Sequence, residues 1–172
     1  MKKNNIKRAF KTISKMNNNY TNIWYFDLKN GNKVITDGKV IVTVDSRQFE
    51  ENKEFLKNLQ YRDFSDLLTK EFENDMETVR TTSLVVETFD NLAMRIIKAG
   101  KQRLGAINEA YNNILLDCGC SVDYMVTRKT DVETIKNPIL YGVFDGDRNI
   151  CQLSGICPVA FNVKECLTSI LE

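Results

Sequence analysis

Hydrophobic side chains recur at helical spacing near the beginning of the chain. Ile6, Phe10 and Ile13 are three or four residues apart, so they fall along one stripe of a helix. The pattern predicts a helix over residues 4–16, and the three consecutive asparagines at 17–19 are expected to end it.

Three short segments rich in β-branched and aromatic residues follow this helix. They span residues 22–29, 33–36 and 39–45. Asn30-Gly31 separates the first two segments and Asp37-Gly38 the last two. Both central residues of a type I′ turn need positive φ, which Gly adopts freely and Asn or Asp tolerates. The pattern therefore predicts a β-meander with tight turns.

The segment from Ser46 to Glu77 places single apolar residues in a charged background, which is typical of amphipathic helices. Its apolar positions are Phe49, Phe55, Leu56, Leu59, Phe64, Leu67, Leu68 and Phe72. We expect two helices here, with a break at residues 61–65.

Further strand and helix patterns fill the rest of the chain. The predicted strands span residues 81–87, 120–128, 138–144 and 150–161. The spacing over 104–116 predicts a helix, 89–99 fits a strand or a helix, and 162–172 fits a short terminal helix. Asp145-Gly146 predicts a second Asp-Gly turn.

The predicted elements form two similar halves once residues 46–77 are set aside. Each half is a helix followed by a strand meander around an Asp-Gly turn. Antiparallel strands with helices packed on one face make an α+β domain. We therefore predict a single domain over residues 1–172, with an antiparallel sheet, helices on one face and a helical insertion at 46–77.

The overall composition is ordinary for a globular protein. The 172 residues are 42% hydrophobic and 27% charged, and the net charge is +1. No apolar run reaches the roughly 18 residues that cross a bilayer, and no secretory apolar core follows the basic first residues. These features predict a cytoplasmic protein without a membrane partner.

The chain contains no histidine, which removes Ser-His and Cys-His catalytic pairs and histidine metal sites together. All five cysteines lie in the last third of the chain, and their spacing does not match a zinc ribbon. We expect reduced, mostly buried thiols, with no metal, no cofactor and no catalytic residue. A metal site and a redox pair are the alternatives for these cysteines.

The predicted first helix is basic, and no acidic residue precedes Asp27. Its candidate nucleic-acid-binding residues are Lys3, Lys7, Arg8, Lys11 and Lys15. Lys and Arg side chains that neutralise phosphates give salt-dependent binding without sequence preference. The alternative is a solvated helix face, the usual reason for a run of charges.

The segment from Asp45 to Glu77 is acidic, with ten Asp and Glu residues against five Lys and Arg. Its candidate partner-binding residues are Glu50, Glu51, Glu54, Asp63, Asp66, Glu71 and Glu73. Such a surface offers carboxylates to the basic groove of a protein or nucleoprotein complex. The alternative is a pair of amphipathic helices that covers one face of the sheet.

Two stretches resemble a domain of the bacterial DNA polymerase sliding clamp. Residues 35–42, Ile-Thr-Asp-Gly-Lys-Val-Ile-Val, are similar to the strand–Thr-Asp-Gly–strand element of the clamp. The closing segment is similar through the helix at 104–116, the strand at 120–128, Pro138-Ile139, the Asp145-Gly146 turn and Cys157-Pro158-Val159. The resemblance implies a basic helix that faces DNA. A clamp ring would need six copies of one such domain, whereas a lone domain would serve as a binding module, as in phages and mobile elements.

Three functions follow as hypotheses. The first is a non-catalytic, clamp-like protein that contacts nucleic acid or a replication complex through the basic helix, as a monomer or an oligomer. The second is a phage or mobile-element inhibitor of a host nucleic-acid enzyme, of the anti-CRISPR or anti-restriction type, that binds through the acidic segment. The third is a Mg²⁺-dependent enzyme that uses carboxylates at strand ends. Those carboxylates are Asp27, Asp37, Asp45, Asp145 and Asp147.

Overall fold

The described residues form one ten-stranded sheet with short helices on its faces. This computed structural model describes residues 7, 11–15, 22–88, 90–160 and 162–166. The strands are β1 (Trp24–Asp27), β2 (Lys33–Thr36), β3 (Val40–Val44), β4 (Gln60–Tyr61), β5 (Met76–Glu87), β6 (Ala93–Ala99), β7 (Arg103–Asn108), β8 (Val126–Arg128), β9 (Ile139–Phe144) and β10 (Ile150–Ile156). The helices are α1 (Ser46–Glu51), α2 (Lys53–Leu56), α3 (Ser65–Phe72) and α4 (Glu109–Asp117), with a 3-10 turn at Val122–Tyr124. Residues 7, 11–15 and 163–166 are also helical.

The sheet joins two meanders, β1-β2-β3 and β8-β9-β10, side by side. Its strand order is β4-β1-β2-β3-β10-β9-β8-β5-β6-β7. The last strands of the two meanders, β3 and β10, pair antiparallel, and the only parallel pair among the described strands is β1 with β4. The predicted α+β class is confirmed.

The turns of the meanders differ from the predicted type I′ geometry. Gly31 and Gly38 have positive φ, but the Asn and Asp that precede them do not. Four residues connect the facing pair of Thr36 and Ile41, so the loop is longer than a two-residue turn. In the second meander, Arg148 rather than Gly146 has positive φ. The prediction of hairpin positions was correct and the prediction of turn type was wrong.

The region predicted as one helix over 104–116 is a strand followed by a helix. Residues 103–108 pair with β6 as β7, and Gly105 lies against Ile135, where an added Cβ would be 2.9 Å from its Cβ. The helix begins only after Asn108, whose side chain caps it by accepting a hydrogen bond from Ala110 N. Pairing with a neighbouring strand overrides local helical spacing here. The predicted strand at 120–128 is also shorter, because the 3-10 turn precedes β8.

The main core lies on one face of the sheet. It contains Ile13 from the first helical residues, Phe49 and Leu56 from α1 and α2, and Ile114 and Leu115 from α4. Each of these side chains is at least nine-tenths buried. Four helical segments therefore share this face, as expected.

Helix α3 packs on the opposite face, which differs from the expectation of helices on one face only. Leu68 and Phe72 contact a second cluster that contains Phe26 and Val34. Adjacent strand residues point to opposite faces. Ile35, next to Val34, belongs to the main core, and Tyr25, next to Phe26, packs against it. Gly142 permits this packing, because an added Cβ would lie 2.8 Å from Phe72 Cζ.

The predicted insertion also covers a sheet edge. Instead of two helices, the described residues 46–77 form α1, α2, β4, α3 and the start of β5. Gln60 N donates to Ile23 O at 3.2 Å and Arg62 N donates to Tyr25 O at 3.0 Å. An uncovered edge strand is a template for unwanted pairing, so β4 protects β1. The segment is therefore part of the fold as well as a charged surface.

Candidate interaction surfaces

The first candidate surface is the basic helix. Lys7, Lys11 and Lys15 are all exposed and follow one another at four-residue spacing. Because a helix turns 100° and rises 1.5 Å per residue, Lys11 and Lys15 lie in one sector, about 6 Å apart along the axis of the described helical residues 11–15. Lys7 is helical as well. Ile13 is only 1% exposed and anchors the helix in the main core. Two other predicted residues, Lys3 and Arg8, lie outside the described residues.

Helix α4 occupies the corresponding position in the second half, but its surface is not basic. Its charged residues are Glu109 and Asp117. Glu109 forms an ion pair with Arg95, which donates to both of its carboxylate oxygens at 2.7 and 2.5 Å. Asn113 and Leu116 are exposed, and Leu116 is 51% accessible. The cationic face therefore belongs to one half of the molecule only.

Most of the predicted partner-binding acids already have intramolecular partners. Glu71 accepts from both Nε and Nη2 of Arg128, at 3.1 and 2.8 Å. The remaining engaged acids are Glu50 with Lys53 at 3.2 Å, Glu51 with Arg47 at 3.3 Å, and Asp63, which accepts from Ser65 N at 2.8 Å. Surface ion pairs of this kind contribute little stability. They nevertheless reduce the charge that these residues offer to a partner.

The exposed part of the acidic segment lies around Leu67. This side chain is 67% exposed, although its position in the helical pattern predicted burial. A cleft of about 400 Å³ runs along this end of α3, and its lining includes Asp63, Asp66, Leu67 and Lys70. Glu54, Asp66 and Glu73 are also exposed. The structure therefore brings an apolar side chain and two acids together at one surface.

Three of the carboxylates considered for Mg²⁺, those of Asp27, Asp45 and Asp145, are engaged in an ion pair, a helix cap and a turn, whereas Asp147 is exposed. Asp145 accepts hydrogen bonds from Asn149 Nδ2, Asn149 N and Asp147 N, and these lower the pKa of its carboxyl below the ordinary value. Asp45 caps α1, and Asp27 pairs with Lys33. Within the part of the chain that the structure describes, no group of three or more Asp, Glu, Cys or His residues is placed to hold a metal.

Asp37 has a different environment, because it is only 6% exposed. Its Oδ1 accepts from Lys39 N and Val40 N, each at 2.9 Å. Its Oδ2 accepts from the hydroxyl of Tyr111 at 2.7 Å, and Tyr111 lies on α4. The first Asp-Gly turn is therefore tied directly to the second half of the molecule.

The five cysteines are free thiols, and none forms a disulfide. Burial raises the pKa of Cys118 to about 12, and the nearby Asp117 and Cys120 add to the shift. Burial also raises the pKa of Cys120 and of Cys157. A thiol is reactive mainly as the thiolate, so these three are chemically quiet at neutral pH.

The sequence did not predict one cationic site, on β5 and β6. Arg80 and Lys98 are exposed and lie directly opposite each other in the strand pairing. They are 18 residues apart in the chain, and only the register of the two strands brings them together. The alternation of Thr78, Val79 and Arg80 between polar and apolar was the signal available in the sequence, but it could not identify the partner on β6.

No protein-family model matches the chain, and comparison with curated proteins and with solved structures finds no match. Among the described residues, no helix has the length and apolarity that crossing a bilayer requires.

Proposed function

We propose that the protein is a non-catalytic nucleic-acid-binding protein that contacts phosphates through Lys7, Lys11 and Lys15. One observation carries this proposal. Lys7, Lys11 and Lys15 are exposed at helical positions, and Ile13, between the last two, is buried in the main core. An anchored helix presents its charges at fixed spacing, which suits a regular row of phosphates. The proposed place of action is the cytoplasm, in a complex that replicates or processes nucleic acid.

The arrangement of the two halves supports a clamp-like scaffold. Each meander is preceded by helical residues that contribute to the same core, and the meanders pair through β3 and β10. In the clamp that the sequence resembles, basic helices of this position face DNA. Here only the first helix is basic, so we propose a binding module in which one half of the helical surface makes the phosphate contacts. Several copies would be needed to surround a duplex.

Charge reversal on the helix tests this proposal. In the variant K7E/K11E/K15E, affinity for a 20-base-pair duplex in low salt should fall by at least about tenfold. The slope of log K against log salt concentration should decrease by about 2 to 3, because each lost phosphate contact removes about 0.9. Fluorescence anisotropy over a salt series measures both quantities.

The control is K57E/K70E/K136E, which changes three exposed lysines elsewhere by the same total charge. Its salt slope should fall by less than half as much as the slope of the helix variant does. Equal loss in the two variants would mean that only net charge matters and would contradict a specific role for the helix. Absence of duplex binding by the unmodified protein would also reject the proposal.

The second candidate function is inhibition of a host nucleic-acid enzyme by protein–protein binding. The observation that favours it is the exposed Leu67 beside Asp63 and Asp66. Protein interfaces combine an apolar centre with a polar rim, and Leu67 with the two acids offers both. Substituting Leu67→Asp and Asp66→Lys together should abolish inhibition of a purified host nuclease and leave duplex affinity unchanged. Inhibition that survives these substitutions would reject this surface.

A further inference from the structure

Arg80 and Lys98 form a like-charge pair on the exposed face of the β5–β6 hairpin. The strand register places Arg80 opposite Lys98, as it places Val79 opposite Ala99. Like charges directly opposite each other in a sheet are destabilising. Neither side chain forms an ion pair with any described residue. A pair that repels without a counter-charge is the arrangement expected where an anion binds.

The one acidic residue in the cleft lining, Glu77, does not neutralise this pair. Glu77 lines the same cleft, but it forms an ion pair with Arg103, whose side chain is 10% exposed. Arg103 also donates from Nε to Val132 O at 2.9 Å and from Nη1 to Arg128 O at 3.0 Å. Arg103 is therefore held in place and compensates Glu77, which leaves the charges of Arg80 and Lys98 in excess.

The absence of a side chain at Gly100 helps to keep Glu77 in this position. An added Cβ at Gly100 would lie 2.5 Å from Glu77 Oε2, so any larger residue would displace the carboxylate. Gly100 also has a φ of +56°, which residues with a Cβ rarely adopt. The Glu77–Arg103 pair and the open cleft thus depend on the same glycine.

The cleft has room for a phosphate group and side chains that can donate to it. Its volume is about 350 Å³, and its lining residues are Glu77, Thr78, Arg80, Lys98 and Gly100. A guanidinium offers two parallel N–H donors to an oxyanion, and an ammonium adds a point charge. The hydroxyl of Thr78 lies on the same strand face as Arg80, two residues away, and provides another donor. Lys101 follows Gly100 directly and is exposed.

We propose that this cleft is a phosphate-binding site, formed by Arg80 and Lys98 with Thr78. The site goes beyond the proposed function, since it shares no residue with the basic helix. The phosphate can belong to a nucleic-acid backbone or to a small phosphorylated ligand, because the donors recognise the same group in both. The test separates these two sources.

The experiment uses the full chain and two probes, inorganic phosphate and a 12-nucleotide single strand without terminal phosphate. Backbone amide NMR spectra are recorded during titration, with chloride added to hold ionic strength constant. We expect phosphate to perturb the amides of residues 78, 80, 98 and 100. In the variant R80Q/K98Q, the dissociation constant for phosphate at the cleft should rise by about tenfold or more, because two charged donors are lost.

The matched control is K136Q/R148Q, which removes one exposed lysine and one exposed arginine outside the cleft. It should bind phosphate like the unmodified protein. In addition, R80Q/K98Q should melt at the same temperature as the unmodified protein or higher in phosphate-free buffer, because a repulsive pair is removed. This result would show that any lost binding does not come from misfolding.

Perturbation of the cleft by both probes supports a backbone phosphate as the ligand. Perturbation by inorganic phosphate alone supports a small phosphorylated ligand. If neither probe perturbs these amides, or if R80Q/K98Q responds as the unmodified protein does, the proposal is overturned. Because the basic helix is intact in R80Q/K98Q, failure of this site leaves the test of Lys7, Lys11 and Lys15 unaffected.

Discussion

The two Asp-Gly turns have the same two residues and opposite environments. Asp37 is 6% exposed and binds the hydroxyl of Tyr111 on α4, whereas Asp145 is exposed and bonds only within its own loop. The first turn therefore connects the two halves of the molecule, and the second only shapes a hairpin. Equal local sequence does not imply an equal role, because the surrounding elements decide what the carboxylate can reach.

The helices that precede the two meanders also share a core contact and differ in surface charge. Both contribute to the main core, through Ile13 in the first half and Ile114 and Leu115 in the second. Their outer surfaces are unlike, since lysines cover the first and α4 carries none. The shared core supports one scaffold, and the unlike surfaces assign the proposed binding to one half.

Replacing Asp37 or Asp145 by alanine should give the largest difference in stability between the two turns. Asp37→Ala removes an acceptor of three hydrogen bonds at a buried position, so we expect the free energy of unfolding to fall by about 2 to 4 kcal/mol. Asp145→Ala should lower it by clearly less, because water can replace the lost bonds. Urea denaturation followed by circular dichroism measures both. Equal losses would contradict the distinction between a connecting turn and a local one.

Removing only the Tyr111 hydroxyl should produce the next largest effect. We expect Tyr111→Phe to lower the free energy of unfolding by about 1 kcal/mol, the net value of a typical hydrogen bond. In the double variant with Asp37→Ala, the two losses should be less than additive because the residues are in contact. Strict additivity in the same urea experiment would show that the bond does not couple the two halves.

Lysines added to α4 should give the second half a cationic helix surface like that of the first and so strengthen duplex binding. In the variant N113K/L116K, both changes are at exposed positions, and two more cations beside the core helices should raise duplex affinity about threefold in low salt. N113Q/L116Q is the uncharged control and should bind as the unmodified protein does. No gain with lysine would argue that α4 lies away from the bound nucleic acid, and an equal gain in the control would show that added charge is not the cause.

Cys118, which follows α4, provides the smallest predicted effect. Its pKa of about 12 exceeds the ordinary value of 9.0, so the folded state holds the thiol proton more tightly than the unfolded state. Its contribution to stability is therefore complete below pH 9 and is lost as the pH rises from 9 towards 12. At pH 8, iodoacetamide should modify Cys118 much more slowly than a cysteine in an unfolded peptide, as mass spectrometry can show. Modification at the peptide rate would contradict its burial.

Much of the fold was predictable where local patterns and final contacts agree. Strands β2 and β3 match the predicted segments closely, because alternating apolar residues and turn signals act over a few residues. The start of α4 was not predictable, since residues 104–108 have helical spacing but pair with β6 as a strand. The packing of α3 on the opposite face was missed for a similar reason. It depends on space above Gly142 rather than on the helix sequence.

In the candidate sites, too, local features could be predicted and long-range contacts could not. The lysines of the basic helix could be predicted, because four-residue spacing and the absence of acids are local features. The partners of Glu71 and Asp37 could not, since Arg128 and Tyr111 are more than 50 residues away in the chain. The Arg80–Lys98 pair likewise required the register of β5 and β6. Long-range neighbours decide which charges are free to bind, and a single sequence does not specify them.

The most direct test of the central claim is an amide NMR titration of the full chain with a 20-base-pair duplex. The proposed function predicts that the largest chemical-shift changes occur at residue 7 and at residues 11–15, that they weaken as salt increases, and that residues 63–70 stay unchanged. Changes confined to residues 63–70, or no change at residues 7 and 11–15 at low salt, would contradict binding through the basic helix.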